Sequence, residues 1–127
     1  MKLNTVLAIW AIIVALFGIG FFFVPEMTLA IYHKEVPSTG HISMARLYGG
    51  VCLGFALLGW LTRSITDAPA RRKILAAIII GFPLVHLVVF LKAILLDGKA
   101  TTANLVSVSL PAVFLCLFGY FYITKRE

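Results

Sequence analysis

Acidic residues are scarce in this chain, five among 127 against eleven Lys and Arg. None of the five, Glu26, Glu35, Asp67, Asp97 and Glu127, falls inside a long apolar run, so catalysis by a carboxylate pair in a dry site has little basis. Cysteine is just as sparse. Cys52 and Cys116 lie in separate apolar segments with no CxxC or Cys/His spacing, which reads as two small core residues, not as a disulfide or metal framework. The sequence contains no GxSxG, no HExxH and no phosphate-cradling glycine loop, so the usual hydrolase, metalloprotease and nucleotide templates do not apply. Extended polar sequence is missing too. The longest connection between apolar runs, Pro25 to His41, is too short for a soluble domain. No soluble stretch interleaves basic and aromatic residues in a way that would stack nucleic-acid bases, and neither an internal repeat nor a low-complexity tract is found.

What the chain does have is hydrocarbon: 61% of its residues are apolar and 13% charged, with a mean hydropathy of +1.04. Four segments, roughly Leu3 to Val24, Ile42 to Leu61, Ile74 to Leu96 and Ala103 to Ile123, suit a hydrocarbon layer of about 30 Å, which takes about 20 helical residues. The first is longer than a signal-peptide core of about 7 to 15 residues and reads as a retained membrane helix. The expectation is an all-α fold, a single four-helix transmembrane bundle spanning residues 1–127.

Orientation follows from the basic residues. Placing both termini in the cytoplasm puts Lys2, Arg63, Arg71, Arg72, Lys73, Lys125 and Arg126 inside, with Lys34, Lys92 and Lys99 on or near the outer side. The net charge of +6 then reads as a topology signal and an attraction for anionic headgroups, not as nucleic-acid binding. In the outer loop, Pro25 and Glu26 suit a helix start. Met27, Leu29, Ala30, Ile31 and Tyr32 suit a short interfacial segment, broken by the stretch from Val36 to Gly40. Phe21, Phe22, Phe23 and Tyr32 read as an outer aromatic belt, with Trp10, Trp60, Tyr120 and Tyr122 toward the inner side, Trp10 deeper than a belt residue normally is. Asp67, before Ala68 and Pro69, reads as the cap of the third helix.

Small residues align on two helices. On the first, Asn4, Ala8, Ala11, Ala15 and Gly18 fall on one face, read as an internal packing seam ahead of a dimer face. The second carries Gly50 and Gly54 in a GxxxG, with Ala45, Gly49, Ala56 and Gly59 beside them. Pro83 and Pro111 fall near mid-bilayer, about 14 and 12 Å from the nearer helix end. They free the carbonyls of Ile79 and Ser107. A hydroxyl of Ser107 or Ser109 is a candidate partner for the second carbonyl, whereas the first has no obvious local partner. Paired breaks can mark a transporter's binding site, although proline is common in membrane helices generally.

Titratable groups within a bilayer are functional candidates because they are costly there. Arg46 and Lys92 lie near the outer boundary and can snorkel to water. Arg46 has a second option, a bidentate bond to Glu26 or Glu35 that pins the outer loop over the bundle. A third is an anionic ligand, a lipid phosphate or a quinone-like head, held by Arg46 with Tyr48 and Lys92. His86 is too deep to snorkel. It reads foremost as a packed histidine bonded to Ser107, Ser109 or a proline-freed carbonyl. Haem ligation lacks a second mid-membrane histidine, since His33 and His41 are in the outer loop. A metal site from His33, Glu35 and His41 matches no defined spacing. No cofactor is predicted, with quinone and haem left open.

Val24-Pro25, Tyr32, the run Ala45-Arg46-Leu47-Tyr48-Gly49-Gly50, then Leu57 to Arg63, Asp67 and Arg71-Arg72 resemble small four-helix bacterial inner-membrane proteins, similar in size and layout to the DoxX-like group. The resemblance covers the first three helices. It implies a bundle in a bacterial plasma membrane, and the group's association with redox and quinone chemistry has no cysteine motif to match it here. The function expected is a small non-catalytic membrane protein, an accessory or stabilising subunit of a larger complex. The alternatives are a binder or transporter of a lipid or quinone-like ligand near Arg46 and His86, and a membrane redox component. Expected partners are membrane lipids and other membrane subunits or copies of the chain itself.

Overall fold

The computed structural model describes residues 2–32, 36–98 and 100–125. In chain order the helices are α1 (Leu3–Phe23), α2 (Pro25–Ala30), α3 (Thr39–Thr62), α4 (Ala68–Ile79), a π-helical turn (Ile80–Leu84), α5 (Val85–Leu95) and α6 (Thr102–Thr124). No strand occurs among the described residues. Four spans are long and apolar enough to cross a membrane: α1, α3, the continuous Ala68–Leu95 and α6.

Capping explains why two spans start earlier than hydropathy suggests. The Ser38 side chain accepts the His41 amide at 3.3 Å and starts α3 at Thr39, ahead of the apolar run that opens at Ile42. Asp67 accepts the Ala70 amide at 2.9 Å, with a proline in the first turn, and starts α4 at Ala68. Arg71, Arg72 and Lys73 therefore lie on a helix, not in a loop, which fixes the direction in which each can project. Thr101 caps α6 through the Asn104 amide at 3.2 Å. Pro25 opens α2 with Glu26 in its first turn, the helix start read from the sequence.

α1 and α3 form the tightest pair, and the glycines show how close they come. A Cβ on Gly49 would sit 2.6 Å from the Phe22 amide nitrogen and 2.8 Å from the Gly18 carbonyl oxygen. One on Gly59 would sit 2.5 Å from the Trp10 ring. Only residues without side chains permit this approach, the packing mode expected where lipid removes the hydrophobic drive. Contacts at 18 with 49 and at 10 with 59 run in opposite directions along the two helices, so the pair is antiparallel. Ala11 and Gly18 are buried on this face of α1, while Ala8 and Ala15 are half-buried.

The space above Gly59 is filled by Trp10, which is 2% exposed. Its ring meets Phe82 and Phe118 edge to face, both at centroid distances of 5.6 Å. Trp10 is thus the hub at which all four spans meet, a buried core residue in keeping with its depth and not a member of the inner belt. Trp60 and Tyr120 are exposed, as belt residues are.

Pro83 is handled by the π turn. Pairing of a carbonyl with the amide five residues on lets the register beginning at Ile79 step over the proline to Leu84, so the span continues without a break. At Pro111 α6 stays α-helical. Neither nearby serine serves the Ser107 carbonyl: Ser109 donates to the Val106 carbonyl at 2.7 Å, and the Ser107 hydroxyl pairs with Tyr32.

Candidate functional site

One cluster of polar side chains lies in the half of the bundle that holds α2. Tyr48 is nine residues in from Thr39 on α3, and His86 is nine residues in from Leu95 at the far end of α5. At 1.5 Å per residue both are about 14 Å below that end, at equal depth. They meet: the Tyr48 hydroxyl is 2.6 Å from His86 Nε2. On its other side His86 Nδ1 is 2.7 Å from the Phe82 carbonyl oxygen, which can only accept. Nδ1 therefore carries the proton, and Nε2 is the acceptor for the Tyr48 O–H. The Phe82 ring stacks on the imidazole at 4.1 Å. Both nitrogens are thus used within the chain, so the imidazole offers a ligand nothing unless Tyr48 moves.

A second bond ties the short α2 segment to the last span. Just after α2, the Tyr32 hydroxyl lies 2.9 Å from Ser107 Oγ on α6. Phe21 links the two pairs, edge-on to Tyr48 at 5.0 Å and stacked with Tyr32 at 6.3 Å. The result is a closed aromatic cluster with two internal hydrogen bonds, suited to holding helices in register.

These partners differ from those the sequence suggests. It gives His86 a serine or a proline-freed carbonyl; the structure supplies Tyr48 and the carbonyl of Phe82, which no proline frees. One option groups Tyr48 with Arg46 and Lys92 around an anion; in the structure the Tyr48 hydroxyl is bonded to His86. Arg46 is exposed, two residues before Tyr48 and on a different face of α3. Lys92 is exposed and pairs with Asp97 at 3.5 Å. Among the described residues no ion pair joins Arg46 to Glu26, which is also exposed. Glu35 and His33 lie outside the described residues, and the described ones contain no group of three His, Cys, Asp or Glu that could hold a metal ion. Cys52 is buried, Cys116 exposed, and both are free thiols.

Gly50 and Gly54 turn away from the bundle. A Cβ on either would meet nothing within 4 Å, and a shallow apolar groove of about 240 Å³ follows Val51, Gly54, Phe55 and Leu58. At the opposite end from the Tyr48 cluster, Arg71 is only 7% exposed and donates to the Asn4 side chain. Hydropathy reading treats Arg71 as one more loop charge. The Asp67 cap that draws it into a helix, with Leu75 and Ile78 following at steps of four and three, was the signal for its burial.

No curated protein and no solved structure matches the chain. Residues 9–127 match the family described as domain of unknown function DUF8292, and the chain belongs to that family.

Proposed function

We propose that this protein is a small non-catalytic integral membrane protein that acts as an accessory or stabilising subunit of a larger membrane complex. The observation that carries this reading is the outer face of α3, where Gly50 and Gly54 leave backbone open to approach while the neighbouring Gly49 and Gly59 are already filled by α1. A helix from another subunit can lie against that face as α1 lies against the opposite one. The interior supports the same reading, because His86 is matched on both nitrogens within the chain.

In this proposal both termini are cytoplasmic. Lys2, Arg63, Arg71, Arg72, Lys73 and Lys125 gather at one end of the bundle, the asymmetry that favours retention on the cytoplasmic side. α2 then lies along the outer headgroups, with exposed Met27 and Ile31 facing the acyl boundary. The resemblance to DoxX-like proteins suggests a bacterial plasma membrane.

Native mass spectrometry of the protein released gently from its own membranes tests the proposal. A stoichiometric assembly with other subunits, lost in Gly50→Leu/Gly54→Leu while the monomer stays folded, is the expected result. A homo-oligomer lost in the same variant would replace the hetero-complex with self-assembly. A monomer in both cases would sink the accessory role.

A further inference from the structure

The basic end of the bundle holds a groove of about 620 Å³ between the start of α4 and the end of α6, with Leu3 of α1 also in its wall. Among the described residues lining it, Arg71, Arg72, Lys73 and Lys125 are cationic and none is acidic. The rest of the wall is mainly apolar, and includes the buried Leu75 and Phe121.

The cations are held in different ways. Arg71 is buried and bonded to Asn4. Arg72 donates through one terminal nitrogen to the Tyr122 carbonyl at 3.0 Å and lies 4.9 Å above the Tyr122 ring. Its Nε is buried without an acceptor, a donor still to be matched on a residue that lines the groove. Lys73 and Lys125 are exposed at the rim, free to close over an anion.

We infer that this groove binds the phosphate of an anionic phospholipid, with the headgroup among Arg72, Lys73 and Lys125 and an acyl chain along the apolar part of the wall. Among the described residues the wall carries four positive charges and no carboxylate, a balance that selects a negative ligand. Phosphate oxygens match the guanidinium and ammonium donors. The apolar wall distinguishes a lipid from free phosphate, which would leave it wet, and basic pockets at membrane-helix ends favour such headgroups. The site is independent of the outer face of α3.

The test uses the full chain in nanodiscs of equal parts phosphatidylcholine and phosphatidylglycerol, with native mass spectrometry counting the lipids retained by the ejected protein. Wild type should keep phosphatidylglycerol in preference. Lys73→Gln/Lys125→Gln should lower that preference by about 25-fold, roughly fivefold for each lysine, with thermal melting unchanged because both side chains are exposed. Equal retention of the two lipids, or a preference the double variant keeps, overturns the lipid site. A parallel titration of inorganic phosphate into phosphatidylcholine nanodiscs separates the sources. Saturable phosphate binding that the double variant loses, without any lipid preference, moves the assignment to a soluble anion.

Discussion

The Tyr48 hydroxyl and His86 Nε2 meet 2.6 Å apart at equal depth on α3 and α5, and this one contact ties the second span to the third. An interhelical bond of this kind contributes on average about 0.6 and at most about 2 kcal/mol in a membrane. Tyr48→Phe should cost that amount in a reversible unfolding assay. His86→Phe in the Tyr48→Phe background should add less than it does alone, since the shared bond is then already gone. Full additivity of the two would show that the contact does not form. Nitrogen-15 spectra should place the His86 proton on Nδ1.

The glycines of α3 should divide into two classes. Gly49→Ala forces a Cβ against the backbone of α1 and should destabilise by about 1 to 3 kcal/mol, whereas Gly54→Ala, which meets nothing, should stay within about 0.5 kcal/mol of the parent. Thermal unfolding in detergent checks the pair. Equal losses at both positions would contradict the packing described.

Trp10→Ala should cost about 3 to 5 kcal/mol by opening a cavity shared by all four spans. Trp60→Ala, at an exposed position with Arg63 stacked on it at 4.3 Å, should cost no more than about 1 kcal/mol. Tryptophan emission adds a second readout. The Trp60→Ala protein, left with Trp10 alone, should emit at the shorter wavelength of the two.

Ser107→Ala should release Tyr32 without disturbing α6. Hydrogen exchange should then quicken in α2 and remain unchanged in the middle of α6, because a weak tether governs only the segment it holds. Unchanged exchange in α2 would remove the Tyr32 bond from the account.

Arg46→Gln should change stability by no more than about 0.5 kcal/mol, as substitutions at exposed positions usually do. A loss of several kcal/mol would revive the pinned outer loop.

Spans and charge asymmetry were legible in the sequence because each depends on composition within one segment. The three helix starts were legible as far as capping chemistry was read: Asp67 was recognised, Ser38 was not, and α3 was placed three residues short. The interior pairing was not legible. Tyr48 and His86 are 38 residues apart, and their meeting depends on the α3 start and on the π turn at Pro83, neither of which hydropathy encodes. GxxxG was legible as a motif but not as a direction. Gly49 and Gly50 are adjacent in sequence, and only the position of α1 decides which of them is covered.

The π turn also has a bearing on how the third span can vary. Relative to an uninterrupted α-helix it amounts to one inserted residue, turning everything after it by about 100°. The span is therefore written in two reading frames: Arg71, Leu75 and Ile78 are set by the first, His86 by the second. Removing a single residue between Ile80 and Leu84 would leave the Arg71 half in place and carry His86 off the α3 side, so the length of that short stretch is as much a part of the interior as the residues that fill it.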